Sequence, residues 1–158
     1  MIVYFLGSNI PLQGIHVIKA AQKILSNEKD IEWQIFTGKP WIPFDEHVAR
    51  MRQADIVLGI FGTTRKTQMV IPNKVYEGLA VAKPIITADT PAIRELLSEE
   101  SACLIPAGNP RALANTVLRL RDDTDSRAKL GANGYAIFSK LATPKVVVSK
   151  LIHDVLFS

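Results

Sequence analysis

The 158-residue chain is 47% hydrophobic and 22% charged, the balance of a soluble globular protein with one sizeable core. No apolar run approaches the ~20 residues of a membrane helix, and the single cysteine, Cys103, excludes an internal disulfide. A net charge of +4 suits an anionic ligand or peripheral contact with a membrane surface, and is too diffuse to point to nucleic acid. Cys103, inside the apolar run ACLIPA, reads as core, and one unpaired thiol fits the cytoplasm.

The opening MIVYFLGSNIP has no basic leader and reads as a first strand, Ile2–Gly7, followed by a turn. Ile15, Ile18, Ala21, Ile24 and Leu25 then recur at helical spacing within residues 14–29. Ile31–Gly38 is a second strand with Glu32 and Gln34 towards water. The loop KPWIPF leads into a helix that Asp45 is placed to cap. Ile56–Phe61 and Pro84–Ala88 are β-branched runs of the kind covered on both faces, and ACLIPA is a fifth strand. TPAIRELL is a short helix with Thr90 as cap and proline at its first position. From Asn109 the pattern is helical, with Gly131, Gly134 and Pro144 as interruptions. Alternation of this kind predicts one α/β domain over residues 1–158, with a mainly parallel sheet between helical layers.

The stretch from Gly59 to Asp89 organises the rest. Between its two strands lie a basic loop and a helical pattern, NKVYEGLAVA, with Val75, Leu79 and Ala82 on one face and Asn73 as cap. That helix begins just past the carboxyl end of a strand, where open α/β sheets take ligands. Its unpaired N–H groups, with Lys66 and Lys74 nearby, suit phosphate, although such lysines are also common on solvated surfaces. Glu77, one turn in, suits a vicinal diol such as a ribose edge; an ordinary first-turn acid is the plainer alternative.

Other constellations are weaker. GSNIPLQG has the place of a phosphate loop without its glycine pattern, and Gly7 and Gly14 read as a strand terminator and a helix start. His16, His47 and His153 are far apart in the sequence with no carboxylate or cysteine at metal-ligand spacing, so no metal is expected, and no serine sits in a nucleophile elbow. Trp41, Pro43 and Phe44 could stack on a base or plug a sheet end. A receiver-like domain would need acidic residues after the first strand, and GSNIP has none.

VIPNKVYEGLAVAKPIITADTPAIRELL resembles the P-x-K-x-x-E-x-[LM]-A-x-G-K-P-[VI]-[VI] segment of retaining, GT-B-fold glycosyltransferases of the large group 1 class, of family-four type. FLGSNIPLQGIHVIKAAQKIL, WIPFDEHVARMRQADIVLGIF and LIPAGNPRALANTVLRLRDDTDSRAKLGANG resemble neighbouring units of the same family in register, the last including the helices that close its domain. The resemblance implies a Rossmann-like α/β/α domain, the C-terminal, nucleotide-sugar-binding half of such an enzyme. It implies that Glu77 holds the nucleotide ribose and that Asn73, Lys74 and Val75 meet the diphosphate with their backbone. Ile42 and Pro43 would lie beside the base. The donor would be a nucleotide sugar, UDP-linked by family frequency, with no metal or other cofactor.

Departures from the pattern are equally specific. The first glutamate of the family's E-x7-E pair falls at Met69, and the cations of the first loop are replaced by Ser8 and Gln13, with Lys66 as a compensating charge. A helix and strand usual after Gly38 are absent, which implies a sheet one βα unit short. The N-terminal acceptor domain, expected as part of a longer protein or as a separate chain, is outside this sequence. The chain alone would then carry no complete catalytic set and be inactive as a hexosyltransferase. The competing reading is a degenerate Rossmann-like module kept for protein association.

Overall fold

The structure, a computed structural model, describes residues 1–38 and 42–157. Its sheet is built from β1 (Ile2–Gly7), β2 (Glu32–Thr37), β3 (Ile56–Leu58), β4 (Ile85–Ala88) and β5 (Cys103–Ile105). All pair in parallel, in the order β2-β1-β3-β4-β5. The common doubly wound order 3-2-1-4-5-6 becomes this one when its outermost strand is removed. The sheet is thus the Rossmann-like sheet the sequence implies, one βα unit short.

Each parallel step needs a helical crossover, and right-handed crossovers decide the layers. Strand placement reverses after β2, so α1 (Ile15–Ile24) covers one face and α2 (Phe44–Gln53) the other. Both α4 (Asn73–Ala80) and α5 (Pro91–Arg94) join α2, while α6 (Pro110–Asp122) returns to pack beside α1. Alternation along β1 serves both cores: Val3 and Phe5 point into the first, Tyr4 into the second.

Several local expectations shift. Strand β3 is assigned only to Leu58, although Gly59 N–H still donates to Ile86 O and Ile60 O accepts from Ala88 N–H. Pro43 takes the cap position of α2 and Pro72 that of α4, leaving Asp45 and Asn73 inside their first turns without capping bonds. Helix α1 ends at Ile24, which is exposed, and Val17 fills the core in its stead. The basic loop after β3 contains a further helix, α3 (Arg65–Met69), capped by the Thr64 side chain accepting from Thr67 N–H. The Thr90 cap and the proline after it stand as read.

Gly131 and Gly134 do not interrupt α7 (Thr124–Leu141). They lie where it packs against α4 and the turn after it: a methyl at Gly131 would strike Ala82 O, and one at Gly134 would lie 2.6 Å from Leu79 Cδ2. Pro144 does open a new helix, α8 (Pro144–Phe157). Cys103 is buried in the core, where burial raises its thiol pKa and Arg119 Nη2 donates to its sulfur at 3.2 Å. Among the described residues, no helix is long and apolar enough to cross a membrane.

Candidate functional site

The strand order reverses between β1 and β3, and ligands of open α/β sheets bind outside the carboxyl ends of such strands. Two loops meet there backbone to backbone. Phe61 N–H donates to Gln13 O at 3.1 Å and Gly62 N–H to Leu12 O at 3.2 Å. Gly14 has φ 66° and leaves the chain no room for a side chain, since a methyl would sit 2.5 Å from the Phe61 carbonyl carbon.

Lys74 enters this junction from the first turn of α4. It is 9% exposed; its Nζ donates to Gln13 Oε1 and lies 4.0 Å from the centroid of the Phe5 ring. Gly7 makes room for it, because a methyl there would lie 2.7 Å from Nζ. Among the described residues no carboxylate pairs with this ammonium. Burial therefore pulls its pKa down to about 7, with only partial relief from the Glu77 charge. A half-neutralised lysine with no counter-charge is a poor structural element and a ready acceptor of an anion.

One turn along α4, Glu77 belongs to a chain of hydrogen bonds. Its Oε2 lies 3.2 Å from His47 Nε2, and His47 Nδ1 lies 2.7 Å from the Tyr4 hydroxyl. Burial holds the Tyr4 pKa up at about 12, the Arg50 charge offsetting this only in part, so the phenol keeps its proton. The Glu77 side chain is 41% exposed, and Oε1 has no protein partner among the described residues.

A family model described as "Glycosyl transferase-like" matches residues 13–153. The chain belongs to that family. Solved structures repeat the architecture of this glycosyl transferase-like domain. The C-terminal domain of the group 1 glycosyl transferase LpcC from Francisella tularensis superposes with a TM-score of 0.72 at 16% identity, over 87% of this chain and 84% of that one. HepE (Alr3699) of Anabaena in complex with UDP gives 0.73 at 20% identity, over 98% of this chain and 48% of its own. Sucrose-phosphate synthase of Thermosynechococcus elongatus gives 0.73 at 18%, over 99% and 45%. The glycosyl transferase-like domain thus spans about half the length of the latter two chains, and its fold is that of a GT-B C-terminal domain. No curated protein sequence matches it.

The residues singled out from the sequence are placed unevenly in the glycosyl transferase-like domain. Lys74 and Gln13 touch, and Glu77 lies one turn from Lys74. Val75 is fully buried and its N–H is spent on Pro72 O at 2.9 Å, so it offers a ligand neither group. Asn73 is exposed at the helix start. Ser8 and Ile42 are half-buried, and Pro43 is exposed beside Phe44, itself 71% exposed. Lys66 stands exposed on α3, and no hydrogen bond or ion pair among the described residues joins it to the junction. Met69, where the resemblance puts a glutamate, is 67% exposed. Trp41 lies outside the described residues. The sequence shows Tyr4 only as part of the first strand and His47 only as one of three scattered histidines, and it points to a role for neither. Among the described residues no cluster of His, Cys, Asp or Glu could hold a metal.

Proposed function

We propose that residues 1–158 form the donor-binding domain of a retaining glycosyltransferase, holding a UDP-sugar for transfer to a glycan or lipid acceptor. The observation that carries this is the buried Lys74 ammonium at the reversal of strand order, paired with no carboxylate among the described residues and one helical turn from the half-exposed Glu77. HepE, with the same fold, was crystallised with UDP and glucose, and TarM with UDP.

In this reading Lys74 and the N–H groups of Asn73 and Lys74 receive the diphosphate, and Glu77 accepts from the ribose hydroxyls. Ile42 and Pro43 flank the base, Ser8 lines the first loop, and Lys66 contributes a more distant charge. Gln13, neutral where the family carries a cation, lets Lys74 occupy the junction without a like charge beside it. Departure of the diphosphate is assisted by the Lys74 charge and the α4 dipole, with no metal ion.

The acceptor side belongs to a second, N-terminal domain or a separate chain. On α8, Val147, Val148, Leu151 and Ile152 are each about half exposed (51%, 51%, 61% and 50%) along one side, a face suited to such a domain. Without it the domain is expected to bind donor and transfer nothing.

Calorimetry with UDP, GDP and ADP tests the reading. Micromolar to millimolar binding of one of them is expected, and Glu77→Ala should weaken it about 10- to 100-fold, the size of a hydrogen bond to a charged group. Failure to bind any nucleotide, together with a stable dimer, would favour the association module, which the exposed α8 face and Met69 also suit.

The Lys74 pKa of about 7 adds a pH dependence. Bound diphosphate favours the ammonium, so binding takes up a proton once Lys74 has lost its own. Affinity should therefore be greatest below pH 7 and fall by about tenfold or more on going to about pH 9. UDP-glucose is the ligand to use, because its diphosphate lacks the terminal ionisation near ~6 that a free phosphate end carries. A flat profile in the wild type would remove Lys74 from the diphosphate site.

A further inference from the structure

His47 is held at both ring nitrogens, and counting protons fixes what it presents to Glu77. The Glu77 carboxylate can only accept, so His47 Nε2 must carry a proton to make the 3.2 Å contact. In the neutral ring Nδ1 is then bare and accepts from the Tyr4 hydroxyl at 2.7 Å. In the imidazolium Nδ1 donates to the Tyr4 oxygen, and the Glu77 contact is unchanged. Only the neutral tautomer protonated at Nδ1 is excluded, since it would set a lone pair against the carboxylate.

Packing confines the ring as well. His47 is 6% exposed, its centroid 5.7 Å from that of Tyr4 and 6.4 Å from that of Phe44. Other charges nearby are already engaged: Arg50 on the same helix pairs with Glu46 and stacks on Phe36. Glu77 would otherwise be a flexible, partly exposed side chain. One of its oxygens is instead anchored, and Oε1 is left as an open acceptor on a side chain that solvent partly reaches.

We propose that Tyr4 and His47 are positioning residues that set Glu77 to receive a ribose hydroxyl pair, so that the site selects ribonucleotides over their deoxy counterparts. This rests on the donor-binding reading above. The physical basis is that an acceptor held in place rejects a ligand lacking the matching donors, because its own desolvation then goes uncompensated. A free carboxylate would swing back to water and discriminate little.

The test is calorimetric, comparing UDP with 2′,3′-dideoxy-UDP on the wild-type chain, on His47→Gln and on the double variant Tyr4→Phe/His47→Phe. The double change removes both polar partners together and keeps ring volume, so neither buried group is left unpaired. The wild type should prefer UDP by about 10- to 100-fold, the span of hydrogen bonds to a charged group. The double variant should fall below about threefold while its affinity for the dideoxy compound stays within about twofold, a pattern that general loss of structure cannot produce. Glutamine can still donate to Glu77, so His47→Gln should retain most of the preference. An undiminished preference in the double variant, with native-like melting, overturns the proposal and leaves the donor-binding reading standing. Equal wild-type affinity for the two ligands does the same. No wild-type binding of either ligand overturns both.

Discussion

Replacing Lys74 by methionine is expected to abolish nucleotide binding and, at the same time, to stabilise the unliganded domain. The two effects share one cause. Lys74 Nζ sits between the Phe5 ring, Gln13 and the backbone of Gly7; no carboxylate among the described residues pairs with it, and the Glu77 charge repays its lost hydration only in part. Methionine keeps the unbranched stem and removes the charge. Replacing buried ionic groups by apolar ones of similar volume is worth about 1–4 kcal/mol, which corresponds to a rise in melting temperature of roughly 3–10 °C.

The pH dependence of that gain follows from the pKa of about 7 in the fold against an ordinary value of 10.5. Below about 7 the lysine is charged folded and unfolded, and the whole desolvation penalty is present. Between the two values the unfolded chain binds more protons, so wild-type stability from this group rises with pH. Above the ordinary value neither state is charged and the penalty is gone. The methionine variant should therefore gain most near pH 6 and little near pH 10. UDP affinity should drop by at least about 100-fold with the loss of a charge-assisted contact in a low-dielectric pocket. Melting curves at the two pH values and one titration decide it: a variant that melts lower at pH 6, or binds UDP almost as well, would refute this role for Lys74.

The architecture was legible in the sequence because its signals are local. β1, β3 and β5 are apolar runs and β4 is one broken only by Thr87, and Thr90 and Asn109 stand at the starts of their helices, where their side chains accept from Ile93 N–H and Ala112 N–H. Local signals also misled. Asn73 is a good capping residue, yet Pro72 carries the extended geometry of the cap itself and its carbonyl accepts from Val75 N–H, so the helix starts one residue early. Helix α3 has five residues, too few to show a period; its trace was the Thr64–Thr67 pair, whose hydroxyls lie 2.9 Å apart.

The candidate site was half legible for a related reason. Lys74 and Glu77 could be found because they share one helical turn and a family pattern. His47 could not, since its partners Tyr4 and Glu77 are 43 and 30 residues away in the chain. The one usable hint was that His47 and Met51, four residues apart, are the buried pair on α2, which puts the histidine on the inward face. Gly7 and Gly14, read as punctuation, are positions where Lys74 and the chain at Phe61 come too close for any side chain.

The same close approach makes Gly62→Ala a severe change. Its methyl would strike Pro11 O and lie 2.6 Å from Leu12 O, both of them backbone atoms that no rotamer change can move. To relieve the clash the two loops must part. That breaks Gly62 N–H to Leu12 O and Phe61 N–H to Gln13 O, and leaves these groups in a region where Phe61 and Gly62 are buried. Overpacking costs about 1–3 kcal/mol and each of the two broken hydrogen bonds about 1 kcal/mol net, so a loss of about 3–5 kcal/mol is expected. Gln13 moves with its loop, Lys74 loses the acceptor that orients it, and UDP binding should fail even at temperatures where the variant remains folded. Gly38→Ala is the control. Among the described residues, and apart from its chain neighbours, no atom lies within 4 Å of its added methyl, and the φ of 83° is strained, so a cost of about 1 kcal/mol with unchanged UDP affinity is expected. Denaturant melts and UDP titrations of the two variants separate backbone contact from backbone strain. A Gly62→Ala protein as stable as Gly38→Ala would mean that the loops are not locked together and that Lys74 owes its orientation to something else.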